Sequence, residues 1–181
     1  MSSGFWHALA RIDALASQGD WNVLQSSAET FCREHSGADA ANAIAAEDLS
    51  AYIRQLEELS HTARGEAAER TAAAVYFEFD LDNAWSSHML VCSAYNPKSA
   101  GDDDWAAAWD SALAGPKCEA LARHYDSSFG STNSSAGRSV LLVARTLEAI
   151  ARATEWWSPE LPLCAGYHDQ DSLTRLRSVA G

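Results

Sequence analysis

Glu78, Asp80 and Asp82 are the residues whose types and spacing are best suited to chemistry in this chain. They alternate with Phe77, Phe79 and Leu81 along the run Val75 to Asp82. A β-strand sends successive side chains to opposite faces, so Val75, Phe77, Phe79 and Leu81 share one face, and Tyr76 and the three acids share the other. The carboxylates then stand in a row, about 7 Å apart, on a rigid element. His88 follows beyond a short turn, and Asp102, Asp103 and Asp104 lie downstream. Such a row is stable when it is solvated, when it meets a cation, or when it meets a basic protein.

The cation reading makes the chain a metal-dependent hydrolase or transferase built on Asp80, Asp82 and His88, with an ion that polarises a substrate oxygen or activates water. Neighbours on one strand face are too far apart to chelate one ion together, and the row lacks the glycine-centred loop of an EF-hand. No metal, cofactor or catalytic residue is therefore assigned. The preferred reading is a partner-binding surface of Glu78, Asp80, Asp82, Asp102, Asp103 and Asp104, with Trp85 in the turn as its aromatic anchor. Exposed tryptophan beside charge is a hot-spot pattern in protein interfaces.

Other constellations carry less. Cys32 and His35 have no second pair at a zinc-site spacing, and Cys164 and His168 form no recognisable nucleophile arrangement. The four cysteines are widely spaced, as small buried hydrophobes are. Asp169 or Asp171 is expected to cap a terminal helix from Leu173 to Val179. Gly130 to Arg138 departs from the phosphate-binding loop pattern, with arginine where lysine is required, and reads as a loop closed by a cap at Ser139.

Charge narrows the partners. The chain has 181 residues, 13 Lys plus Arg against 25 Asp plus Glu, and a formal charge of −12. Residues 1–70 and residues 71–130 each carry −6, while residues 131–181 are neutral. Nucleic acid needs a basic footprint, and an anionic membrane surface repels this chain, so neither is expected. A basic protein partner is attracted. No run approaches a membrane span, and the first residues lack the basic start and apolar core of a signal peptide, so a cytoplasmic protein is expected.

These residues need elements to hold them. Phe5, Leu9, Ile12 and Ala16 fall at helical spacing before Gly19, and Asp20 precedes the stripe Trp21, Leu24, Ala28 and Phe31. A third helical region follows through Leu49, Tyr52, Ile53, Leu56 and Leu59, ending near Gly65. The period then shifts to two for a hairpin of 73–81 with 88–95. Helices are predicted over Trp105 to Leu113, from Pro116 to Tyr125, and over Val140 to Ala151, with a third strand at Leu161 to His168. Trp6, Trp21, Trp105 and Trp109 are expected to face the core from helices, whereas adjacent Trp156 and Trp157 cannot share one face. The expected fold is one α+β domain over 1–181: a helical part at 1–65, then a small antiparallel sheet around the hairpin, with helices packed on it.

The segments Tyr76 to Trp85, Cys92 to Tyr95 and Asp103 to Ala106 resemble uncharacterised bacterial proteins found among toxin-immunity genes. The resemblance implies a cytoplasmic antidote that binds one cognate toxin and performs no chemistry. It assigns no functional residue.

Overall fold

The computed structural model describes residues 3–97, 101–168 and 173–177. Four helices come first: α1 Ser3–Gln18, α2 Trp21–Ser36, α3 Ala38–Ala45 and α4 Ser50–Arg70. Helix α4 runs through Gly65 and stops at Thr71, whose left-handed φ of 55° turns the chain into the sheet. The predicted hairpin follows as β1 Ala74–Asp80 and β2 Ser86–Cys92, with Glu78 opposite His88 and Asp80 opposite Ser86.

Beyond the hairpin the chain departs from its helical pattern. Asp104–Ala107 forms one 3-10 turn, and Trp109–Ala114 is strand β3 rather than helix. The apolar positions of this segment fit either period, and the open backbone edge of β2 decides between them by offering a full ladder. A short helix α5, Glu119–Ala122, and the long α6, Asn133–Ala153, come next. Helix α6 starts earlier than expected because Thr132, not Ser139, caps it: the Thr132 hydroxyl accepts from Ser135 N–H at 3.1 Å in a reciprocal capping box. Strand β4, Leu163–Tyr167, confirms the third-strand expectation. The stretch Thr174–Arg177 is strand β5, where a terminal helix was expected; Asp169 and Asp171 lie outside the described residues.

The sheet order is β3-β2-β1-β4-β5. It is mixed rather than antiparallel, because β4 runs parallel to β1. A parallel neighbour needs a long crossover, and α6 is the main element of that crossover. The architecture is α+β with the helices on one side of the sheet. Val75, Phe77, Phe79, Met89, Val91 and Leu163 all belong to the core shared with the helices. The face assignment read from the period of two therefore holds for Phe77 and Phe79, both fully buried.

Helix α6 packs against α1, α2, α3 and α4 and is buried along nearly its whole length. Its closest approach to α2 is at Gly137. A Cβ there would collide with Ser36 Oγ and lie 3.2 Å from Cys32 Cα. Gly137→Ala is expected to destabilise by about 1–3 kcal/mol through overpacking, despite alanine's better helix propensity. Urea unfolding measures it; a more stable variant would mean that the two helices separate at no cost.

Candidate functional site

The second face of the sheet is covered only in part. Tyr76, Leu90, Cys92, Cys164, Trp105 and Leu173 form a small separate cluster there, roofed by the 3-10 turn and the start of β5. Beside that roof lies an open groove of about 880 Å³. Its floor is low where small residues stand opposite larger ones: Gly166 opposite Glu78, and Ala112 opposite Leu90. A bulge at Val91/Cys92 puts Trp109 opposite Cys92 and so on this open face.

Glu78 is central to the groove. It faces His88 across the β1–β2 ladder, and His168 Nδ1 at the end of β4 lies 3.3 Å from its Oε1. His168 is held by its own N–H, which donates to Phe79 O at 3.0 Å. Asp104 and Trp109 complete the rim, and Trp109 is half exposed. Among the described residues no lysine or arginine lines the groove. The carboxylates of Glu78 and Asp104 open onto it, with the imidazoles of His88 and His168 beside Glu78.

Asp103 has a different task from the one expected of it. Its carboxylate takes a bidentate contact from Arg175, 3.0 Å on one arm, and accepts Leu173 N–H at 2.9 Å. Burial is the largest single influence on this carboxyl and works against its charge. The Arg175 guanidinium, with the Leu173 and Trp105 N–H groups, outweighs it and holds Asp103 below its ordinary value. Asp103 is therefore an internal ion pair that fastens the groove's roof, and its charge is already matched.

The other expected contact residues fall in separate places. Asp80 turns Oδ1 back to accept the N–H groups of Asp82 and Asn83, at 3.0 and 3.2 Å, and so builds its own turn. Asp82 is exposed on that turn. Asp102 is exposed and accepts Asp104 N–H at 2.9 Å. Trp85 is not an exposed anchor: it is fully buried, and its Nε1–H donates to Thr146 Oγ1 on α6 at 2.8 Å. The turn carries left-handed φ values of 51° at Ala84 and 56° at Trp85, which swing the indole inward instead of outward. The exposed tryptophans beside acids are Trp109 and Trp6, both expected in the core. Trp157 is buried and Trp156 is not, as their adjacency requires.

Asp80, Asp82 and His88 do not converge. His88 pairs with Glu78, Asp80 with Ser86, and Asp82 lies past the strand end. Among the described residues no group of three or more His, Cys, Asp or Glu is placed to share a metal ion. All four cysteines are buried free thiols. Burial pushes Cys92 and Cys164 up to about 12, so they are protonated and unreactive near neutral pH. Among the described residues no helix is long and apolar enough to cross a membrane.

No family model, curated protein or solved structure matches the chain. The reading of the site rests on its own geometry.

His168 and Trp109 were not singled out for the groove by their sequence. His168 reaches Glu78 only through the parallel β1–β4 pairing, which links residues 90 positions apart. Trp109 joins it only because its segment is a strand.

Proposed function

We propose that this chain is an acidic protein-binding protein that captures a basic partner in the open groove of its sheet. The observation that supports this reading is the groove itself: Glu78, Asp104 and exposed Trp109 line it together, with no lysine or arginine among its described lining residues. Uncompensated carboxylates speed encounter with a cationic surface, and a half-exposed indole supplies contact area with little side-chain entropy to lose. The charge of −12 acts in the same direction at longer range. The resemblance to immunity-type proteins gives the biological setting of the proposal: a cytoplasmic bacterial antidote that neutralises a cognate toxin by covering it.

Purification of the tagged protein from the cells that make it should bring down one basic protein in stoichiometric amount. The association rate with that partner should fall steeply as salt rises. The Glu78→Gln/Asp104→Asn pair should slow association about tenfold and change dissociation little, as expected for steering charges. Trp109→Ala should act oppositely and accelerate dissociation by about 30-fold or more, the equivalent of a 2 kcal/mol hot spot. Absence of a stoichiometric partner, or a rate indifferent to salt, would overturn the reading.

A further inference from the structure

A second cavity, of about 310 Å³, lies at the end of the acid row where β1 runs into its turn. Its aromatic walls come from three distant parts of the chain: Trp6 on α1, Tyr125 and Phe129 on the segment before α6, and Tyr167 at the end of β4. Asp80, Asp82 and His168 complete it. The rings are fixed against one another. Phe129 meets Tyr167 at 5.4 Å and Trp6 at 6.3 Å, both edge-to-face, and Phe5 braces the group from behind at 5.3 Å from Phe129. In an edge-to-face pair one ring turns its edge to its neighbour's face, and these pairs hold the aromatic group in place beside the cavity.

The charge balance is one-sided. Among the described residues no lysine or arginine lines this cavity. The Asp82 carboxylate approaches Tyr125, whose hydroxyl is buried without a hydrogen bond of good geometry. Burial first, and then Asp82, Asp126 and Asp80, raise that phenol above its ordinary value, so it stays neutral and adds no charge of its own. The loops that form the mouth are held in costly conformations. Of the four non-glycine residues with left-handed φ among those described, Phe129 lines it, and Ala84 and Trp85 lie in the turn that follows Asp82. Gly130, at φ 74°, leaves room for the Phe5 ring where a Cβ would strike it. Such strain persists where the surrounding structure over-determines it, and it gathers at ligand clamps.

The geometry points to a binding site for an alkylated ammonium cation. Four aromatic side chains around one space, with carboxylates at the side, are complementary to a diffuse positive charge clothed in methyl groups. Four aromatic rings in the lining leave a compact ammonium fewer hydrogen-bond acceptors than water offers it, whereas methyl groups pack against rings. Asp80 already spends Oδ1 on its turn, so Asp82, exposed and close to Tyr125, supplies the more accessible counter-charge. The site meets the groove at His168, shares none of Trp6, Tyr125, Phe129 and Tyr167 with it, and does not depend on the groove's partner.

Calorimetric titration at pH 8, where histidine is neutral, tests the assignment with choline, its uncharged isostere 3,3-dimethylbutanol, and peptides carrying one trimethyl-lysine or one unmodified lysine. Saturable binding of choline or of the trimethyl-lysine peptide is expected, at least tenfold tighter than the isostere and the unmodified peptide. Which of the two binds more tightly identifies the source of the cation. Trp6→Ala, at a position 46 % exposed and therefore safe for folding, should weaken binding at least tenfold, and Asp82→Asn at least threefold. The assignment is overturned by equal binding of choline and its isostere, by equal binding of the two peptides, by no binding of either cation at 50 mM, or by binding that survives Trp6→Ala in a folded protein.

Discussion

Trp85→Ala is expected to cost about 3–5 kcal/mol, the range for emptying a large aromatic site in a packed core. The indole is fully buried, stacks at 6.2 Å on Phe79 and meets Tyr125 edge-on at 5.5 Å. Among the described residues it also gives Thr146 its one donor from outside α6, since the Thr146 hydroxyl itself donates to Leu142 O within that helix. The loss therefore reaches three elements: the β1–β2 turn, the helix that backs the sheet, and the segment before α6. Trp85→Phe retains most of the volume and loses the Nε1–H bond, so about 1–2 kcal/mol is expected for it. Chemical denaturation of both variants measures the effect. An alanine variant of unchanged stability and weakened partner binding would return Trp85 to the surface role that its place in a turn first suggests.

That contrast shows what local pattern carries and where it stops. The period of two in β1 is a local property, so the hairpin and its buried face are legible in the residues of 74–92 alone. The apolar stripes of α1, α2 and α4 are legible for the same reason. Segment 105–114 was not, because its strand identity comes from the vacant edge of β2, and a helical stripe of Trp105, Ala108, Trp109 and Ala112 was equally available. The parallel partner of β1 is invisible for a related reason: β4 reaches it only after the whole of α6, and no local signal states the direction of arrival. Site residues follow the same division. Glu78 and Asp104 were found as members of an acidic pattern, yet Asp103, of the same type and in the same run, is an internal ion pair. Only the fold, which brings Arg175 to it across 72 residues, separates the two.

Asp103 also carries the other large effect. Its partner Arg175 is 6 % exposed, and the guanidinium also donates to the carbonyls of Leu173 and Asn96, which carry no charge. Asp103→Ala leaves that cation buried without a counter-charge, which costs about 3–5 kcal/mol. The Leu173 N–H loses its acceptor at the same time, so the damage should centre on β5 and the roof of the groove. Hydrogen exchange should show those amides opening first. A double replacement of Asp103 and Arg175 by leucine and methionine should recover much of the loss, because the unpaired charge goes with the pair.

The sign of the pH dependence follows from the depressed carboxyl. Folding holds Asp103 below its ordinary value of 3.8, so the folded state binds its proton less readily than the unfolded chain. The pair's stabilisation is complete above about pH 5 and is lost as pH falls through the folded-state value. The wild-type advantage over Asp103→Ala should therefore be constant from about pH 7 to pH 5 and shrink below about pH 4. An advantage that persisted undiminished to pH 2 would mean that packing, and not the ion pair, makes Asp103 necessary.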